Sequence, residues 1–126
     1  MQRTVISTER APAAIGPYSQ AIVAGNLIFL SGQLPINSST GELIDGDIAA
    51  MTRQIFRNIE TVLAAAGSTL SKVVKVTVFM TDLNDFQEMN AAYSEFFPHD
   101  PPARSTVQVA RLPRDARIEI EVIALV

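Results

Sequence analysis

The sequence contains no cysteine, which excludes disulfides, thiolate metal sites and a cysteine nucleophile. It has a single histidine, His99; without a second imidazole or a thiolate, a zinc site is not expected. No apolar run approaches the roughly 18 residues needed to span a bilayer. The glycines fall in no G-x-G-x-x-G or Walker spacing, and no G-x-S-x-G elbow marks a serine hydrolase. The formal charge of −3 works against nucleic-acid binding, which usually calls for a basic face. Met1 to Arg10 lacks a basic segment followed by an apolar stretch, so a secretion leader is not expected. These absences point to a soluble cytoplasmic protein with no metal, cofactor, nucleic-acid or membrane partner. Its 126 residues, 48% of them hydrophobic, suit one domain over residues 1–126 with a single core.

The apolar pattern organises that domain. Ala21 to Ala24 and Leu27 to Ser31 flank Gly25-Asn26, a pair that supplies positive φ and predicts a hairpin. The Ser-, Thr-, Gly- and Asp-rich stretch from Asn37 to Gly46 reads as a surface loop. Asp47 offers an N-cap for a long helix. Ile48, Met51, Ile55, Ile59, Val62 and Ala66 recur at helical steps, and Gly67 stands at the C-cap position. Lys72 to Met80 is valine-rich and predicts a strand. A second helix is expected after Asn84, which with Gln87 forms a capping box; its stripe is Phe86, Met89, Tyr93, Phe96 and Phe97. Pro98 to Pro102 ends it, and strands follow at Arg104 to Val109 and Arg117 to Leu125. The order predicts an α+β domain with one sheet and two helices.

The valine-rich strand bears on assembly. Alternation puts Val74, Val76, Val78 and Met80 on one face, and Val73, Thr77 and Phe79 on the other. A strand apolar on both faces needs both covered, and two helices shield only one. A closed homo-oligomer is the favoured solution; loops of the same chain are the alternative.

Candidate chemistry sits on the last two strands. Arg104, Thr106 and Gln108 share one face of theirs, and a guanidinium suits a carboxylate in a bidentate grip. By pattern alone, an ordinary surface arginine paired with an acid is the commoner situation. In Arg117-Ile118-Glu119-Ile120-Glu121-Val122, the two glutamates share the face opposite the aliphatic residues. A carboxylate among apolar neighbours is a candidate for a raised pKa and proton transfer, although solvent-facing acids give the same pattern. Asn90 lies beside the second helix's stripe and presents an amide to a ligand or to buried backbone. Tyr18 and Ser31 bracket the hairpin. His99 is expected to be exposed.

Several separated motifs, in order and with compatible spacing across essentially the whole chain, resemble the Rid (YjgF-like) family. They are Ile15-Gly16-Pro17-Tyr18-Ser19-Gln20-Ala21, Ile28-Phe29-Leu30-Ser31-Gly32-Gln33 and Val73 to Val78 with Asp82-Leu83. Further on come Pro102-Ala103-Arg104-Ser105, Val109-Ala110-Arg111-Leu112-Pro113 and Ile118-Glu119-Ile120-Glu121. The resemblance implies a chorismate-mutase-like fold, with a sheet of about six strands and two helices packed on one face. It also implies a homotrimer with ligand clefts between subunits. The implied activity is hydrolysis of 2-iminobutanoate and 2-iminopropanoate to 2-oxo acids and ammonia. The family's carboxylate-binding arginine falls on Arg104 and its water-orienting glutamate on Glu119. Tyr18, Ser31, Asn90 and Thr106 fall on other cleft positions. Many imine-hydrolysing members have cysteine where this chain has Thr106, a change that alters the pocket's size and polarity. The choice of Glu119 over Glu121 depends on strand register. The competing readings are a non-catalytic module that binds small carboxylates, a ribonuclease or translation inhibitor, and a chaperone-like surface, on which the sequence is silent. The second fits poorly with an acidic chain whose basic residues gather only at Arg111, Arg114 and Arg117.

Overall fold

The computed structural model describes residues 2–126. The strands are β1 (Arg3–Ile6), β2 (Ala21–Ala24), β3 (Leu27–Leu30), β4 (Val73–Met80), β5 (Ala103–Gln108) and β6 (Ile118–Leu125). They form one sheet in the order β1-β2-β3-β6-β4-β5. Only the β4–β5 pair is parallel. Its crossover carries the second of two helices, α1 (Ile48–Ala65) and α2 (Phe86–Ser94). The α+β architecture with a six-stranded sheet is as expected. Among the described residues, no helix is long and apolar enough to cross a membrane.

Both helices pack on one face. From α1, Ile55, Phe56, Ile59, Val62 and Leu63 are fully buried against Val76, Val78, Ile118, Ile120 and Ala124 of the sheet. Each such side chain contributes about 1.5–3 kcal/mol relative to exposure, so this layer holds α1 in place. Asp47 caps α1 as expected, its carboxylate accepting from Ala50 N (2.8 Å). Gly67 follows the helix at φ 79°, the left-handed region where a Cβ is costly.

The structure departs from expectation at three points. The short strand β1 was not anticipated; most of its residues are exposed, so it carries little alternation. The capping box at Asn84 does not form. Asp82 accepts from Asn84 N (2.9 Å) instead, and a 3₁₀ turn over Leu83–Asp85 leads into α2. That Asx turn draws Asn84 into the turn before it can act as a cap. Finally, a register irregularity between Val73 and Lys75 reverses the first two valines. Val73 is buried under the helices, whereas Val74 is 40% exposed.

Beyond that bulge, alternation is regular. The face away from the helices carries Phe29, Phe79, Val107 and Ile123 beside Thr77, Ser105, Glu119 and Glu121. Phe29 and Val107 remain 42% and 41% exposed. The helices thus leave uncovered a sheet face that mixes these apolar side chains with polar ones.

Candidate functional site

Arg104 sits on the outer parallel strand, in register with the buried Val76. Its side chain therefore points to the helix side, where α2 passes. Arg104 Nη1 donates to Asn90 Oδ1 (2.6 Å). The guanidinium carbon lies 4.6 Å from the Tyr93 ring centroid and 5.5 Å from that of Phe86. Phe86, Asn90 and Tyr93 are spaced four and three apart on α2, so one helical face supplies all three. The ion pairs among the described residues involve other arginines. The ordinary reading of Arg104 as a surface cation with an acid partner therefore does not hold: among the described residues no carboxylate pairs with it.

Two hydroxyls near this guanidinium are buried without a hydrogen-bond partner, Tyr93 OH and Thr106 Oγ1. Burial pushes the Tyr93 phenol above its ordinary pKa, and both the Arg104 charge and a weak hydrogen bond from its guanidinium oppose that rise. Gln108 points the same way as Arg104 and Thr106, accepting from Leu83 N (2.9 Å); it ties the strand end to the turn that precedes α2.

A second group gathers where the chain leaving β3 passes β6, around a cleft of about 650 Å³ lined by Tyr18, Ser31, Gly32, Arg114, Glu119 and Glu121. The chain from Leu30 to Gln33 bends past β6 and re-pairs through Gln33 and Ile120. Glu119 lies across Gly32 so closely that a methyl group there would overlap its carboxylate. Burial raises the Glu119 pKa above the ordinary glutamate value, and the Glu121 charge adds to the rise. Ser31 Oγ donates to Ser19 O (2.6 Å). Tyr18, 51% exposed, has its hydroxyl accepting from Ile15 N (3.3 Å).

The anticipated residues therefore form two separate groups. Arg104, Asn90 and Thr106 come together on the helix side. Tyr18, Ser31 and Glu119 come together at the other cleft. One chain does not unite them. His99 is exposed in the loop after α2 and joins neither group. Sequence reasoning missed Phe86 and Tyr93 as partners of Arg104 because they read as core stripe; their spacing about Asn90 was the available signal. Gly32 was missed because a close approach leaves no mark on composition. The three arginines near the last turn are each paired, Arg111 with Asp115 (2.7 Å), Arg114 with Glu42 (3.7 Å) and Arg117 with Asp85 (2.9 Å).

Comparison with known proteins gives a consistent picture. The endoribonuclease L-PSP family model matches residues 8–126. The 2-iminobutanoate/2-iminopropanoate deaminase of Escherichia coli is 53% identical over 123 residues, 95% of each chain. The crystal structure of an endoribonuclease candidate from Thermotoga maritima superposes with a TM-score of 0.96 at 50% identity, covering 100% of this chain and 98% of that one. The structure of Escherichia coli TdcF with bound serine gives 0.92 at 45% identity, covering 98% of each chain. Matched over nearly its whole length in sequence and in fold, the chain belongs to the Rid (YjgF-like) family, whose family model bears the description endoribonuclease L-PSP.

Proposed function

We propose that this protein is an imine hydrolase that converts small 2-imino acids, 2-iminobutanoate and 2-iminopropanoate foremost, to 2-oxo acids and ammonia. The observation that carries the reading is Arg104, a partly buried cation with no acid partner, in a chain 53% identical to a named 2-imino acid deaminase. A 2-imino acid always carries a carboxylate, and a guanidinium fork holds one in two charge-assisted hydrogen bonds. Its protonated imine carbon is already electrophilic, so the residues need only place a water and move protons.

Glu119 suits the second task. As the water oxygen bonds to the imine carbon, Glu119 accepts the proton released, giving a neutral carbinolamine. It returns that proton to the nitrogen; the carbon–nitrogen bond then breaks, and the hydroxyl becomes the 2-oxo group as its proton leaves with the ammonia. A raised pKa brings the carboxylate closer to the working range of a proton carrier. Tyr18, Ser31, Asn90 and Thr106 line the bound substrate.

The two half-sites meet, on this reading, between neighbouring copies in a homotrimer, each site taking Arg104 from one subunit and Glu119 from the next. The uncovered sheet face supports such packing. Residues 1–126 act as a single cytoplasmic domain without a cofactor.

The test is a coupled assay. Threonine dehydratase generates 2-iminobutanoate, semicarbazide traps it, and the purified protein competes for it. Faster release of 2-oxobutanoate with less semicarbazone is expected, and Arg104→Ala should abolish the effect with the fold intact. No effect at ample protein would leave the second reading, a non-catalytic module for small carboxylates, which the serine held by TdcF favours. Ribonuclease action is disfavoured because Arg111, Arg114 and Arg117 are already paired. Salt-sensitive RNA affinity would revive it.

A further inference from the structure

Asn90 occupies only one edge of the Arg104 guanidinium, taking a hydrogen bond from Nη1. Nε and Nη2 have no acceptor among the described residues. A lone side chain with so much rotamer freedom would lose entropy on gripping a substrate. Something must hold its plane beforehand. The Tyr93 ring, 4.6 Å beneath the guanidinium carbon, is suitably placed. Tyr93 is itself fixed: it is 6% exposed and packs against Phe56 (centroids 5.5 Å, planes at 79°) and Phe97 (5.0 Å).

We infer that Tyr93 is a positioning residue for the carboxylate clamp. Its ring face, assisted by Phe86, holds the Arg104 plane with the Nε–Nη2 edge presented to the substrate carboxylate. The ring acts, and the hydroxyl does not. Tyr93 OH is buried and makes no hydrogen bond of full geometry, although Arg104 comes close enough to ease its ionisation; a phenylalanine removes that contact while keeping the same π face. Because Arg104 holds the carboxylate in the ground state and in the transition state alike, losing the ring weakens binding without slowing the chemical step.

The inference rests on the reading of Arg104 as a substrate clamp, so its test pairs a kinetic arm with one independent of turnover. Tyr93→Phe should keep the wild-type KM for 2-iminobutanoate and melt no lower than wild type. Tyr93→Leu should raise KM, and weaken 2-oxobutanoate binding by calorimetry, roughly tenfold, with kcat little changed. In the second arm, the ring current shifts the Arg104 Nε–H proton resonance upfield. That shift should persist in Tyr93→Phe and disappear in Tyr93→Leu. Should Tyr93→Leu fail to fold, Phe86→Leu, at a partly buried position, should give a smaller rise of about threefold.

Wild-type KM and an unmoved Arg104 resonance in Tyr93→Leu would overturn the inference. So would a Tyr93→Phe variant as impaired as Tyr93→Leu, because the hydroxyl would then be the acting group. If the wild type neither hydrolyses imines nor binds 2-oxobutanoate, the functional reading falls, while the resonance still reports whether Tyr93 orients Arg104.

Discussion

Arg104 and Glu119 lie on opposite faces of one sheet. Arg104 is in register with Val76 and Glu119 with Phe79, and positions three apart on β4 point to opposite sides. Their side chains leave the sheet in opposite directions. If catalysis needs both, two chains must meet. Arg104→Ala and Glu119→Gln should each be nearly inactive alone, Arg104→Ala losing two or more orders of magnitude in kcat/KM with the loss of a charge-assisted pair. Refolded together as mixed oligomers, they should regain activity. Random mixing builds an intact site at about a quarter of the interfaces of a closed ring, which bounds the recovery. A mixture as inactive as its components would place the whole reaction within one chain.

Much of this was readable from residue order. α1, the first hairpin and the faces of β5 and β6 follow from periodicity, because each buries a continuous stripe. What stayed hidden depends on how strands sit beside one another. Alternation correctly grouped Arg104 with Thr106 and Glu119 with Glu121, but the relation between the two groups is set by pairing register through β4. The inversion of Val73 and Val74 came from a bulge, which shifts a strand by one residue without any sequence signal. Asn84 was taken into a 3₁₀ turn capped by Asp82, a local side-chain competition that the helical pattern does not reveal.

Gly32→Ala should separate positioning from folding. The added methyl overlaps the Glu119 carboxylate, which is the far end of a flexible side chain and can swing away at little cost. Melting temperature should therefore change little, while kcat falls at least tenfold because the proton carrier is displaced. A variant with wild-type kcat would show that Glu119 need not rest against Gly32.

Glu119 also ties activity and stability to pH with opposite signs. Its folded pKa is raised, chiefly by burial, so folding favours the protonated form. The stability that goes with protonation is complete below the ordinary glutamate pKa and is lost as pH rises through the folded value. At pH 7 the ionised group costs stability, and Glu119→Gln should melt higher than wild type. The difference should vanish on acidifying to about pH 4. On the proposed mechanism activity runs the other way, because the water-activating form is the carboxylate: kcat/KM should fall on the acid side with a midpoint above 4.5, the unperturbed value. Calorimetric melting and rate profiles across this range check both halves. A Glu119→Gln variant no more stable than wild type at pH 7 would contradict the burial effect.

The uncovered sheet face gives the last prediction. Phe29 and Val107 stand on it at 42% and 41% exposure, with Phe79 and Ile123 partly buried between them. Water contact with that much apolar surface is unfavourable by about 25 cal/mol for each Å², and a second copy could remove it from water. Val107→Asp places a charge in such a contact, where it would be buried unpaired, a several-kcal/mol penalty on association. Within the single chain the same aspartate faces solvent on a strand edge, so the fold should survive. Sedimentation should accordingly show the wild type as a trimer and Val107→Asp as a folded monomer by circular dichroism. Imine hydrolysis should disappear with the trimer although Arg104, Asn90, Tyr93 and Glu119 are all untouched. A monomeric variant with full activity would refute the shared site, and a variant that remains trimeric would move the interface to another face.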